Sequence, residues 1–154
     1  MEITTRLCDT GASELALSNL ESKIGFVLPE DYRRFMIEFN GGRPVPSFFS
    51  FQTSNGPTDA NVRYFLTLFD KGKHYTIPQY LDRYNERIPD GLLPIGCDSF
   101  GNLVLLDGGV KSTGAIYFWD HELESMDDPT WDNISFIASS FSEFANSLRE
   151  APIH

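Results

Sequence analysis

The chain has 154 residues, of which 41% are hydrophobic and 14% aromatic, and its formal net charge is −10. That length suits a single domain over residues 1–154, and so high an aromatic content excludes a disordered chain. Because phosphate affinity comes mainly from Lys and Arg, the excess of acids argues against direct binding of nucleic acid and of anionic membranes. The charge favours a basic protein partner or, as the alternative, solubility alone.

The two cysteines, Cys8 and Cys97, lie far apart in the sequence and form no CxxC or Cys/His pattern. We expect two buried thiols in a reducing compartment, with one disulfide as the open alternative. The segment from Met1 to Arg6 has no apolar stretch typical of a signal peptide, and the longest apolar runs are too short for a membrane span. These features predict a cytoplasmic protein.

The N-terminal third of the chain predicts two helices. Over 13–24, apolar residues recur at spacings of three and four behind a serine that can cap the helix. Over 29–40, Pro29 occupies a first-turn position where its missing N–H costs nothing, and two acids follow it at the positive end of the helix dipole. Gly41 and Gly42 end this second helix, because glycine adopts left-handed backbone geometry at little cost.

The rest of the chain predicts strands joined by short turns, and two more helices. Segments rich in β-branched and aromatic residues are typical of strands, and they occur at 47–53, 62–69, 92–97, 103–107 and 115–119. A turn is predicted over 54–57, a third helix over 77–88, and a last helix from Ser140, which forms a capping-box pattern with Glu143. This order predicts an α+β fold, with a mostly antiparallel sheet of about five to six strands flanked by about four helices.

Motifs that carry catalysis are missing from the sequence. We find no P-loop, no GxSxG elbow and no HExxH, and we therefore predict no enzyme, no cofactor and no metal. Asp98 is a candidate general base, although its turn context favours an Asx-turn. His121 lies among several acids that suit a divalent ion, but their spacing is not that of an EF-hand, and a solvated acidic loop is the favoured interpretation.

The segment from Ala115 onward has the most uneven charge. It contains eight acids and one base, so it carries −7 of the total −10. Tryptophans and a methionine interleave with these acids, and aromatic anchors inside a charged rim are typical of protein-binding hot spots. The predicted partner-binding residues are Trp119, Asp120, Glu122, Glu124, Asp127, Asp128, Trp131 and Asp132. The alternative places both tryptophans in the core and leaves the acids as a solvated loop.

Several segments, taken in order, resemble the SUKH superfamily, which includes the yeast cell-wall-assembly regulators and many bacterial immunity proteins. The first signature combines Ile24 to Phe35, around Leu-Pro-Glu-Asp-Tyr, with Phe39-Asn40-Gly41-Gly42. The later matches are 93–107, 114–122 and the last helix with Phe141, Phe144 and Leu148. The similarity in order and spacing extends over residues 13–150.

The resemblance implies an α+β fold and a binding function without catalytic residues. Bacterial members are typically immunity proteins, encoded beside polymorphic toxins, that bind and neutralise a toxin domain, often a nuclease. Nucleases are commonly basic because they bind phosphates, so an acidic inhibitor would compete for the same surface. Our first hypothesis is therefore an immunity protein whose partner is a basic toxin domain.

Two other hypotheses stay open. One is a non-enzymatic regulatory scaffold that binds cellular proteins, as the resemblance to the yeast regulators implies. The other is a hydrolase or metal-dependent enzyme that uses Asp98, His121 and nearby carboxylates.

Overall fold

The computed structural model describes residues 1–69 and 74–152. The helices within these residues are α1 (Glu14–Ile24), α2 (Glu30–Phe39), α3 (Ile77–Arg83) and α4 (Phe141–Ser147), with a short 3-10 helix at His121–Leu123. The strands are β1 (Glu2–Thr5), β2 (Arg43–Val45), β3 (Phe48–Thr53), β4 (Gly56–Asn61), β5 (Tyr64–Phe65), β6 (Leu92–Cys97), β7 (Leu103–Asp107), β8 (Ile116–Trp119) and β9 (Ile134–Ala138). None of the described helices is long and apolar enough to cross a membrane.

The central sheet has the order β5-β6-β7-β8-β9, and every neighbouring pair in it is antiparallel. Two smaller antiparallel sheets pair β1 with β2 and β3 with β4. The predicted α+β class with a mostly antiparallel sheet is thereby confirmed. A short turn joins β6 to β7, whereas β8 and β9 are joined by a long segment, residues 120–133, which we call the β8–β9 connection.

Different elements pack on the two faces of the central sheet. Successive side chains of a strand point to opposite faces, so neighbouring residues of β8 show what lies on each side. On one face, the ring of Phe118 lies 4.7 Å from that of Phe51 on β3. On the other face, the next residue, Trp119, packs edge-on against Tyr84 just after α3, with 5.4 Å between ring centroids. Burying each of these large side chains stabilises the fold by about 2 kcal/mol.

Helix ends follow local chemistry, as the sequence predicts. The hydroxyl of Ser13 accepts a hydrogen bond from the backbone N–H of Ala16, at 3.0 Å, at the start of α1. The hydroxyl of Ser140 likewise accepts from the N–H of Glu143, at 3.1 Å, at the start of α4. At the end of α2 the backbone turns left-handed, and a Cβ at Gly41 would lie 2.6 Å from the carbonyl oxygen of Phe65, so only glycine fits there.

Two predicted elements were too long. The helix predicted over 77–88 ends at Arg83, because the chain turns back there through Glu86, whose φ is 65°. Tyr84 and Ile88 still reach the core, but from the turn rather than from a helix face. The strand predicted over 62–69 is reduced to Tyr64–Phe65, since only these two residues pair with β6.

Four strands were not predicted. β1 and β2 have four and three residues, too few to show a recognisable alternation. β4 begins inside the predicted turn and contains no apolar run, so its extended shape comes from pairing residue by residue with β3. In β9 a register shift opposite β8 breaks the alternation of exposed and buried residues.

Both cysteines are buried, and no disulfide joins them. Burial raises the pKa of the Cys97 thiol, despite the hydrogen bond that it shares with Tyr80. The expectation of buried thiols is confirmed.

Candidate protein-binding cleft

A cleft with a volume of about 990 Å³ opens beside the central sheet. Its walls come from the β3–β4 hairpin, the β6–β7 turn, the β8–β9 connection and the first residues of β9. Phe51 and Phe118, both nearly buried, form part of its apolar floor. Because these walls belong to elements that are distant in sequence, the cleft exists only in the folded chain.

The charge of the cleft has a single sign. Four aspartates line it, namely Asp59, Asp98, Asp120 and Asp132, and none of its described lining residues is Lys, Arg or His. Carboxylates gathered in a concave surface focus a negative potential, which attracts cations and repels phosphate. We call this site the acidic cleft.

Two of the four carboxylates already hold the structure together. Asp98 accepts hydrogen bonds from the N–H of Phe100 at 2.8 Å, from the N–H of Asn102 at 2.9 Å, and from the Asn102 side chain at 2.8 Å. It therefore holds the β6–β7 turn, which is the Asx-turn role predicted for it. Asp59 forms an ion pair with Arg149, so a cation of the chain itself offsets its charge.

The other two carboxylates retain acceptor capacity. Asp120 uses Oδ1 to accept from the N–H of Glu122, at 2.9 Å, and so caps the 3-10 helix. Asp132 is exposed, and within the described residues its carboxylate has no hydrogen-bond or ion-pair partner. Since a carboxylate offers about four acceptor positions, most of theirs remain open to the cleft.

Asparagines hold the cleft walls in place. The Asn102 side chain donates to Asp98 and accepts from the N–H of His121, at 3.0 Å, so it ties the β6–β7 turn to the 3-10 helix. At the other end of the β8–β9 connection, buried Asn133 donates from its side chain to the carbonyl of Asp120, at 2.9 Å. A wall held in this way needs little ordering when a partner binds.

Two apolar side chains stand at the mouth of the cleft and were missed by the sequence analysis. Phe100 is 75% exposed and Leu123 is 66% exposed, and both belong to the cleft lining. Large exposed apolar groups beside a pocket are typical of binding anchors. The sequence could have indicated the exposure of Phe100, because this residue lies between Ser99 and Gly101 in a predicted turn.

Trp119 was wrongly predicted to contact a partner. Its side chain is completely buried in β8, where it packs against the Tyr84 ring, and the guanidinium carbon of Arg87 lies 5.6 Å from the Trp119 ring. The alternative, a core tryptophan, is correct for this residue, because both faces of the central sheet are covered and Tyr84 packs on the face from which Trp119 projects.

Trp131 and Glu124 lie outside the cleft lining. Trp131 is half-buried, edge-on to the Tyr117 ring at 5.1 Å, with the Lys111 ammonium 4.2 Å above it. Glu124 forms a two-point ion pair with Arg87, at 2.7 Å from Nη2 and 3.2 Å from Nε. Its charge is thus already matched within the chain.

The remaining predicted acids separate into two groups. Asp120 and Asp132 line the cleft, whereas Glu122, Asp127 and Asp128 are exposed on the β8–β9 connection outside it. A partner-binding role for each of these residues stays a prediction.

His121 has a structural contact of its own. Its imidazole packs on Gly101, where an added Cβ would lie 3.3 Å from Cδ2. Among the residues that the structure describes, no three His, Cys, Asp or Glu side chains form a group that could hold a metal ion. The local chemistry of His121 is therefore that of a packing residue at the cleft wall.

The central five-stranded antiparallel sheet, with helices and a β-hairpin packed on it and a cleft beside it, makes this an α+β protein with a concave surface. Residues 11–147 match the model of the SMI1 / KNR4 family (SUKH-1), and the chain belongs to this family. Proteins of this family are generally non-catalytic immunity or regulatory proteins that act through protein–protein interactions.

One curated relative is the SPbeta prophage-derived uncharacterized protein YokK of Bacillus subtilis (strain 168). It is 28% identical to this chain over 152 residues, covering 89% of this chain and 74% of the relative.

Proposed function

We propose that this chain is an immunity protein that binds and neutralises a bacterial toxin domain. The observation that carries the proposal is the acidic cleft, lined by four aspartates with an exposed apolar mouth. Family membership supports a binding role, and the similarity to a prophage-derived protein supports a setting of genetic conflict.

The electrostatics suit a basic partner such as a nuclease domain. Such a domain needs a cationic surface for phosphate, and an inhibitor that occupies this surface excludes the substrate. The net charge of −10 would also accelerate encounter with a cationic protein, by an amount that falls as salt is added. The cleft then supplies the local contacts that set how long the complex lasts.

Co-purification tests the proposal directly. The tagged chain would serve as bait in its native host, and mass spectrometry would identify the proteins that it retains. We expect the C-terminal domain of a large secreted or cell-surface protein, whose toxicity in a co-expression assay this chain abolishes. Recovery of cytosolic regulatory proteins alone would contradict the immunity function and favour the regulatory scaffold.

Matched charge variants test whether the cleft is the binding surface. We expect the double variant Asp120→Asn/Asp132→Lys to lose protection, while Asp127→Asn/Asp128→Lys retains it. Both variants change the net charge equally, and Asn at position 120 still caps the 3-10 helix. Circular dichroism would verify that both fold. Equal protection by the two variants would argue against the cleft as the binding surface.

A further inference from the structure

We propose that the acidic cleft receives an arginine side chain, presented by an exposed loop of the partner. The inference rests on the proposed function in so far as the partner is a toxin. It goes beyond that function by naming the chemical group that the cleft recognises.

The size of the cleft indicates a loop rather than a flat surface. Pockets of about 300–1,000 Å³ enclose most of the surface of a drug-sized ligand. At about 990 Å³ the cleft therefore accommodates a loop of several residues with one side chain inserted.

The free acceptors of the cleft select a cation. The Asp59 carboxylate is matched by Arg149, and Asp98 is engaged by three N–H groups of its own turn. Asp120 and Asp132 remain, and the N–H of Asp120 donates to the carbonyl of Asn133 at 3.0 Å, which holds the two ends of the connection together. Two carboxylates that line the same cleft and have open acceptors would be stabilised by a donor-rich cation.

The mouth of the cleft distinguishes arginine from lysine. A planar guanidinium stacks on aromatic rings while it donates to carboxylates, whereas an ammonium is a compact and strongly hydrated charge. Phe100 offers an exposed ring beside the aspartates, and Leu123 offers an aliphatic surface for the methylene stem.

The chain contains an internal example of the same recognition. The Arg87 guanidinium carbon lies 4.7 Å from the Tyr84 ring centroid, while two of its nitrogens donate to Glu124. An arginine from a partner would meet an aromatic ring and carboxylates in the acidic cleft as Arg87 does within the chain.

Peptide titration followed by NMR tests this inference without knowledge of the partner. The ¹⁵N-labelled full chain would be titrated with acetyl-Gly-Arg-Gly-amide, and in parallel with peptides that carry lysine or citrulline in place of arginine. Citrulline keeps the shape of arginine but lacks its charge. We expect saturable shifts confined to residues 98–102, 120–123 and 132–135, with a dissociation constant on the order of millimolar. Lysine should bind at least about threefold more weakly, and citrulline should give no saturable shift.

Variants locate the binding site. We expect Asp120→Asn/Asp132→Asn to weaken arginine-peptide binding about tenfold or more, and Asp127→Asn/Asp128→Asn to weaken it by less than about twofold. Absence of saturable shifts, equal shifts with citrulline, or shifts centred on 127–128 would each overturn the inference.

The outcomes separate this inference from the proposed function. Arginine binding in the cleft without recovery of a toxin would contradict the immunity function and leave the inference standing. Recovery of a toxin that Asp120→Asn/Asp132→Asn still neutralises fully would overturn the inference and leave the immunity function standing.

Discussion

Asp107 and Asp132 are both aspartates beside β-strands, but their surroundings give them opposite roles. Asp107 is completely buried at the end of β7, and its two oxygens accept from four backbone N–H groups. These donors belong to Gly109, Val110, Lys111 and Ser112, at 2.7 to 3.0 Å. Asp132 lines the acidic cleft and is exposed, and its carboxylate can still accept hydrogen bonds. The acids of this chain therefore differ in how many hydrogen bonds each can still accept.

Replacing Asp107 should give the largest effect. Burial by itself would raise the pKa of Asp107, but the four backbone N–H groups outweigh it and hold this pKa below its usual value. We expect Asp107→Asn to lower the free energy of unfolding by about 3 kcal/mol at pH 7, because the amide nitrogen cannot accept the N–H groups that one buried carboxylate oxygen accepts, and the charge-assisted hydrogen bonds are lost. Urea denaturation measures the change, and Asp128→Asn, on the exposed connection, should change stability by less than about 0.5 kcal/mol.

The stability difference between wild type and Asp107→Asn should depend on pH. The pKa of Asp107 is lower in the folded chain than in the unfolded chain, where it is about 3.9. Its stabilisation is therefore complete above about pH 5 and is lost as the pH falls through the folded value. The stability difference between wild type and Asp107→Asn should shrink on acidification, and a constant difference from pH 7 to pH 3 would contradict this account.

Phe100→Ser should give the next largest effect, and on binding rather than on folding. Removal of an exposed anchor at the cleft mouth is expected to weaken affinity for the co-purified toxin domain by about 2 kcal/mol, roughly 30-fold. Stability should change little because the ring is already in water. Val27→Ser is the matched control, since Val27 is 76% exposed but does not line the cleft. If calorimetry gives equal losses of affinity for the two variants, the result would count against a role for Phe100 in binding.

The exposed acids of the β8–β9 connection should affect the rate of association with the partner rather than the lifetime of the complex. For Glu122→Gln/Asp127→Asn/Asp128→Asn we expect the association rate to fall about three- to tenfold at low salt, with the dissociation rate unchanged. Stopped-flow measurements at rising salt should show this difference disappear, because salt screens exposed charges. A faster dissociation rate would instead assign these acids to the contact surface.

Glu124→Gln should give the smallest effect. Its carboxylate already pairs with Arg87 at a partly exposed position, so its loss should reduce stability by about 0.5 kcal/mol. Partner affinity should stay within about twofold of wild type, in contrast to Asp132→Asn. Similar losses of affinity for both variants would show that the ion pair opens when the partner binds.

The sequence by itself determined the helix starts and the central strands of the fold. Ser13 and Ser140 cap their helices through contacts three residues away, and such short-range chemistry is visible in sequence order. The boundaries that failed depend on partners outside the element itself. β4 is extended because the neighbouring strand β3 pairs with it, and the helix after Thr76 gives way to a turn through Glu86, from which Tyr84 packs on Trp119.

The sequence also located the acidic segment, but only the tertiary structure decided what each of its residues does. Packing against Tyr84 buries Trp119, Arg87 neutralises Glu124 from 37 positions away, and the fold leaves Asp120 and Asp132 lining a shared cleft. Phe100 joins them from the β6–β7 turn, and a further wall comes from the β3–β4 hairpin. Charge is a property of composition, whereas a cleft is made by long-range packing, so the sequence predicted the sign of the surface and the structure decided its shape.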